Sequence, residues 1–507
     1  MSRKSKKAPR RHTGAIIVLI LMMLAFIAGS AFMIKLSLDL PTKSVDARPG
    51  PGLPIQLPTP DRAPEATTEE TEAPTETTMP EPEHVVSTAT IVSTGDILMH
   101  KPVIDVNWSK DGYDFTSIFQ YITEDVTAAD YAVANLETTL ASTDNGYQYS
   151  GYPNFNCPDE IVDAAKDAGF DMLLNGNNHS YDTSSVGMHR TIEIIRDRGL
   201  DHIGIVKADE EKRYLVKEIN GINIGMICYT YETDNRADTV ALNGLPMKAE
   251  DKNLANAFDY NALDTFYSEL EGHLKNMEAD GAEATMLYIH WGNEYQLQAN
   301  DIQKKMAQKI CDLGVDVIIG GHPHVVQPID LLESTVDPDH KTVCLYSMGN
   351  AVSNQRQGNL TAISTAHTED GVLFSVTFSK YSDGTVYLES TDLLPLWVYR
   401  RTDGTGNEYN ILPLHTDNSE SWAEDYNMKD FSVATALKSY DRTMTIVGEG
   451  LHECQTWLQE SYDAREQYYY DLAFNPEKFA TEATEATETA TEPVTETGAE
   501  SATEATE

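Results

Sequence analysis

The sequence predicts an α/β fold, a sandwich of mixed sheets flanked by helices. Two observations carry this. From residue 87 to about 320, short apolar runs alternate with helix-patterned segments, and beyond residue 340 such runs follow one another directly. Alternation implies parallel strands joined by crossover helices, and consecutive runs imply neighbouring strands without crossovers.

The elements follow in order. STATIVSTGD (87–96) reads as a strand running into a loop, and DYAVANLE (130–137) repeats the design. PDEIVDAAKDAG (158–169) opens on proline, carries early acids and stops on glycine, so it is a helix. FDMLLNGNNH (170–179) is again strand-to-loop, and SSVGMHRTIEIIRDRG (184–199) is a second helix. RYLVKEINGINIGMICYTYE (213–232) is two strands around Asn220-Gly221, a hairpin signal. A helix is predicted over 257–280, followed by the strand ATMLYIHW (284–291). Ile302, Met306, Ile310 and Leu313 mark one face of another helix, and the strand VDVIIGGHPH follows. TVCLYSMGN, GVLFSVTFS and TVYLES are further strands. The folded domain is therefore expected over 86–400, with a helical appendage over 401–478.

The ends are not globular. Residues 1–14 are basic and carry no acid, and an uncharged apolar run extends from Ala15 to Ile34. As a helix that run would span about 30 Å, a bilayer core. Basic residues before it place the N-terminus in the cytoplasm and the rest outside, as a single-pass membrane protein. A cleaved signal peptide is the competing reading, with AGSA near Ser30 as its site. Residues 41–85, rich in Pro, Thr and Glu, read as a disordered stalk, and 479–507 as a disordered Thr/Glu/Ala tail.

The net charge is −43. Without residues 1–85 and 479–507 the chain keeps 27 Lys and Arg against 62 Asp and Glu, or −35. An acidic folded region excludes nucleic acid as a partner, because phosphate binding needs a basic face. It also repels any polyanion unless a bound metal reverses the sign locally. Five scattered cysteines do not make a disulfide framework and read as buried free thiols.

Five apolar runs each end in potential ligands: Asp96 and His100; Asn135 and Glu137; Asn178, His179 and Asp182; His290 and Glu294; His322 and His324. Groups at the carboxyl ends of strands in α/β sheets converge on one crevice. In His322-Pro323-His324 the chain can turn at its strand end and aim both rings inward. Mixed carboxylate, imidazole and amide donors suit Mn, Zn or Fe, and a bridging carboxylate with distributed histidines is the recipe for two divalent ions. Alternative readings stand beside these. Asn135 could satisfy loop backbone, Glu294 could lie outside the ligand shell or at the surface, and Trp291 could pack in the core. Asn350 and Gln355 could line a groove or close the sandwich edge.

The ordered motifs GD…H, NLE, NNH…D, HWGNEY, GGHPHVVQ and LYSMGN resemble the capsule-synthesis CapA family over about residues 88–355. That family is tied to poly-γ-glutamate capsule production and is similar in fold to calcineurin-like metallophosphoesterases. The resemblance implies Asp96 and His324 on one metal, Asn178, His290 and His322 on the other, and Glu137 bridging. It implies His179 as general acid or electrostatic stabiliser, oriented by Asp182. His100 departs from the Asp-x-His spacing of ordinary metallophosphoesterases, and Glu137 replaces their bridging aspartate. The function implied is a membrane-anchored, metal-dependent hydrolase or transferase acting on an envelope polymer or phosphoester beside the capsule-synthesis machinery. The alternative is a non-catalytic module that binds, exports or tethers such a polymer.

Overall fold

The computed structural model describes residues 81–233, 239–360, 364–403 and 406–479. The expected membrane span, most of the stalk and the acidic tail lie outside these residues. Among the described residues no helix is long and apolar enough to cross a membrane.

The first half of the chain builds one side of the sandwich. Strands β1 (Val85–Ile97), β2 (Tyr131–Leu136), β3 (Met172–Leu174) and β4 (Asp201–Ile203) run parallel in that order. Helices α1 (Glu160–Asp167) and α2 (Ser184–Asp197) cover their outer face. The hairpin β5 (Tyr214–Ile219) and β6 (Ile222–Tyr231) opens the second sheet, with Asn220 and Gly221 both at positive φ in its turn. Strands β7 (Ala284–His290), β8 (Val317–Gly321) and β10 (Lys341–Leu345) extend it in parallel from β6, and β9 (Ile329–Glu333) pairs antiparallel with β10. Helices α3 (Leu263–Ala279) and α4 (Asp301–Cys311) cover this sheet. The chain then returns to the first sheet, where β11 (Asn350–Val352) pairs parallel with β1. Strands β12 (Asp370–Tyr381), β13 (Val386–Asp403) and β14 (Gly406–Pro413) follow antiparallel.

The inner faces of both sheets form one core. Ile91, Val133 and Met172 of the first meet Met226, Met286 and Ile319 of the second, all buried. Alternation along each strand places the other side chains under helices, so the layers run helix, sheet, sheet, helix. Ser93 Oγ and Tyr288 Oη hydrogen-bond across the interior at 3.0 Å.

Two expectations need correction. The helix expected from residue 257 starts at Leu263, because Ala257–Phe258 pair with Thr230–Tyr231 as a short strand and Asp259 caps the turn that follows. The boundary at 400/401 cuts through β13, whose register with β14 continues to Asp403–Gly406, so the sheet runs to Pro413. Beyond it, α5 (Asp430–Phe474) packs on β13 and β9 and belongs to the same body.

One end of α5 meets a buried acid. Asp370 accepts from Ser439 Oγ at 2.5 Å and from Arg442 Nη2 and Nε at 2.6 and 2.9 Å. Burial pushes its carboxyl up to about 6, against the pull of Arg442. The folded value thus exceeds the unfolded value of about 3.9, so protonation favours the fold and this contribution declines as pH rises from about 4 to about 6. Arg442→Ala strands the charge and should destabilise the protein by about 3 kcal/mol at pH 7.5. The deficit should shrink at pH 5, where the neutral carboxyl needs no counter-ion, as urea midpoints at the two pH values would show.

The first and last described segments meet at one edge. His84 and Ser382 exchange hydrogen bonds, and Tyr469 Oη of α5 donates to the neighbouring Asp383 at 2.7 Å.

Candidate metal centre

The parallel strands of both sheets end at one pole, and their last residues supply the site. Asp96 is opposite Asn135 and Asn350 in the register of the first sheet, while His290 is opposite Gly321 in the second. Gly95 is required for this convergence, since a Cβ there would meet the carbonyl oxygen of Gly349 at 1.9 Å. At Gly321 a Cβ would lie 3.3 Å from both Asp96 Oδ1 and His290 Nδ1, filling the space between the two sheets' acid and imidazole.

The His-Pro-His segment turns sharply. His322 has φ 95° and His324 φ 55°, left-handed values that cost an L-residue roughly 1–2 kcal/mol and persist only where surroundings enforce them. With this backbone both rings enter the same crevice, 6.0 Å apart between centroids, and His322 also lies 4.9 Å from the His290 ring.

Two groups of donors result, sharing Glu137. Glu137, His290 and His322 offer ligand atoms within 4.8 Å of one another, and so do Asp96, Glu137 and His324. All five side chains are buried. His290 Nε2 is 3.4 Å from Glu137 Oε1 and 2.8 Å from Asn178 Oδ1, which brings Asn178 to the first group. His324 Nδ1 donates to Asp96 Oδ2 at 3.1 Å and Asn350 Oδ1 at 3.2 Å, and its Nε2 lies 3.9 Å from Glu137 Oε1.

These residues fit divalent metal. Both Glu137 carboxylate oxygens and His322 Nδ1 are buried without a hydrogen-bond partner. An orphaned buried carboxylate costs several kcal/mol unless a cation meets it. Burial, then the neighbouring Asp96 charge, pushes the Glu137 carboxyl well above the usual range, so a cation is what would hold it ionised. Burial drives His290 down to about 3 and His322 well below its ordinary value, keeping both imidazoles in the neutral, ligating form. Burial also opposes charge on the Asp96–His324 pair, but their mutual hydrogen bond wins: Asp96 is lowered and His324 raised.

The surrounding residues hold the donors in place. Asn135 Nδ2 donates to Asp96 Oδ1 at 2.7 Å while its Oδ1 accepts from Asn177 Nδ2, so it orients a ligand. Asn177 donates to Asn135 Oδ1 and to the carbonyl of Leu136, tying the β3 loop to the end of β2. Asn350 also donates to the carbonyls of His324 and Thr368. His100 stands outside both groups: its Nδ1 lies 3.2 Å from Leu98 O and 3.3 Å from the Asn354 amide nitrogen, and burial lowers it to about 4. Glu294 is likewise outside both groups, exposed on the wall of an adjoining cavity. Trp291 is fully buried and donates to the Tyr346 carbonyl, a core residue.

His179 and Asp182 form a dyad beside the donors. His179 Nδ1 donates to Asp182 Oδ2 at 2.7 Å, which leaves Nε2 as the free ring atom, 3.9 Å from Glu137 Oε1. Asp182 also accepts from the Phe155 amide at 2.6 Å and from Asn243 Nδ2 at 2.8 Å. Sequence reasoning missed Asn177, Phe155 and Asn243. Asn243-Gly244 carries an Asn-Gly turn signal, and Asn243 does sit at φ 50° between two short paired strands.

The family model of the bacterial capsule synthesis protein PGA_cap matches residues 90–355. The PGA biosynthesis protein CapA of Bacillus subtilis (strain 168) is 30% identical over 263 residues, covering 52% of this chain and 62% of that protein. The capsule biosynthesis protein CapA of Bacillus anthracis is 25% identical over 269 residues, covering 52% and 60%. The chain thus spans about three fifths of the length of these curated relatives. The family match takes in more than half of the chain and every residue from Asp96 to Asn350 that builds the centre, and the chain belongs to the bacterial capsule synthesis protein family.

Proposed function

We propose that this protein is a metal-dependent hydrolase or transferase of capsule synthesis, anchored to the membrane by residues 15–34 with its folded region outside the cell. The observation that carries the reading is the orphaned, buried Glu137 carboxylate shared by two donor groups beside the His179–Asp182 dyad. Asp96 and His324 would hold one ion, and Asn178, His290 and His322 the other, with Glu137 between them. Such a pair, when bound, supplies an activated water and neutralises charge that develops on a phosphoryl or acyl oxygen.

The chain's own residues do the rest. Asp182, fixed by the Phe155 amide and Asn243, keeps the His179 Nδ1 proton in place, so Nε2 is the atom that can pass a proton to a leaving group. The strand-end placement of the ligands and the buttressing of Asp96 by Asn135 keep the donors convergent. The substrate class is an envelope phosphoester or a γ-glutamyl polymer.

The test begins with elemental analysis of the purified full-length chain after exposure to Mn, Zn or Fe. About two ions per chain are expected, with turnover first of generic phosphodiesters and then of poly-γ-glutamate. A correctly folded protein that takes up no metal overturns the proposal.

A further inference from the structure

A cavity of about 300 Å³ opens beside His179 and His324. Among the described residues no lysine or arginine lines it. Its wall carries the Glu294 carboxylate and the side chains of Tyr152, Tyr231 and Tyr295. Tyr152 is 80% exposed, so its ring is free to cover a group bound in the cavity. Glu294 makes no ion pair with a lysine or arginine among the described residues, and its side-chain partner there is the Tyr295 hydroxyl.

The loop that presents Glu294 is held under strain. Gly292 has φ 87° and Tyr295 φ 65°, the second a left-handed conformation that a bulky residue adopts only when forced. Tyr295 is tied at both ends: its amide donates to Pro323 O at 2.8 Å and Gln355 Nε2 donates to its hydroxyl at 3.2 Å. The bonds link the loop to the His-Pro-His turn, so the carboxylate and the ring are set against the metal centre.

We propose that this cavity takes the ammonium-bearing end of a peptide-like chain, with Glu294 as counter-ion and the three tyrosines as its aromatic wall. A carboxylate and aromatic rings together recognise an ammonium, whereas a carboxylate-rich ligand entering here would meet the Glu294 charge and, among the described residues, no lysine or arginine. A γ-glutamyl chain carries carboxylates along its length and a single cation, at its amino end. That end is the part of such a polymer which an acidic domain can admit. The inference rests on the functional reading above for its location beside reacting groups, but Glu294 is not a metal ligand, so its recognition is separable. The same chemistry would hold the amine of an acceptor molecule.

The experiment is titration calorimetry on the full-length protein, Mn-loaded and metal-free. The probes are a γ-linked glutamate pentamer with a free amino end, the same pentamer acetylated, and glycinamide as a bare amine. The free pentamer should bind about 10-fold more tightly than the acetylated one. Glu294→Gln should erase that preference without changing metal content, and Tyr152→Ala should reduce it a few-fold. Glycinamide binding as tightly as the free pentamer would assign the cavity to an acceptor amine, still an ammonium. Equal binding of free and acetylated pentamers, no binding of either, or a preference that survives Glu294→Gln overturns the inference. A protein that takes up no metal but keeps the Glu294-dependent preference would instead sink the enzymatic reading and leave this one standing.

Discussion

His290→Ala and His322→Ala should each abolish metal binding at one of the two positions and lose activity with it. Both side chains are buried and belong to the donor group that includes Glu137. Loss of a residue that merely supports a ligand costs about 10–100-fold in metal affinity, so loss of a ligand should exceed about 100-fold. Elemental analysis and turnover on one preparation check this, with circular dichroism to confirm the fold. Full metal content in either variant would remove that histidine from the ligand set.

His179→Ala should behave in the opposite way, keeping the metal while the rate falls by about 10²–10⁴, the usual contribution of a positioned acid or base. The geometry supports the separation. His179 bonds through Nδ1 to Asp182, and its free Nε2 is 3.9 Å from Glu137 and belongs to neither donor group. The decisive comparison is capsule formation in cells carrying each variant. If His179→Ala supports it as well as the parent while His290→Ala does not, the ions serve binding or structure, and the protein is a polymer-handling module.

Much of the site is legible in the sequence because parallel strands end where they must. A buried strand cannot carry an uncompensated histidine or acid in mid-run, so polar ligands collect after the last apolar residue, and parallel topology brings those ends together. Asp96, Glu137, His290 and His322 are each found that way. What stays hidden is set by distance along the chain. Asn243 reads locally as a turn residue, yet its side chain reaches Asp182, 61 positions away. Asp370 reads as the polar start of a strand, and only the fold shows Arg442 of α5 arriving beside it. The 400/401 boundary fails for a related reason: YRRTDGTGNEY looks like a polar linker, but one face of that hairpin is solvated, so its pairing leaves a weak apolar signal.

The meeting of His84, Ser382 and Asp383 at one edge has a mechanical consequence. Strand β1 carries the chain from that edge past Asp96 to Ile97, 13 residues, about 40 Å, along its length. Tension applied through the chain before Val85 enters along the axis of β1, which is zipped to β12 on one side and to β2 on the other. Its rungs lie across the pull and must shear together rather than peel singly. A load between that segment and the far end of α5 closes its circuit through Tyr469 and Asp383, at the pole opposite the metal ligands. The ligand geometry can therefore stay slack while the two ends of the folded region are pulled.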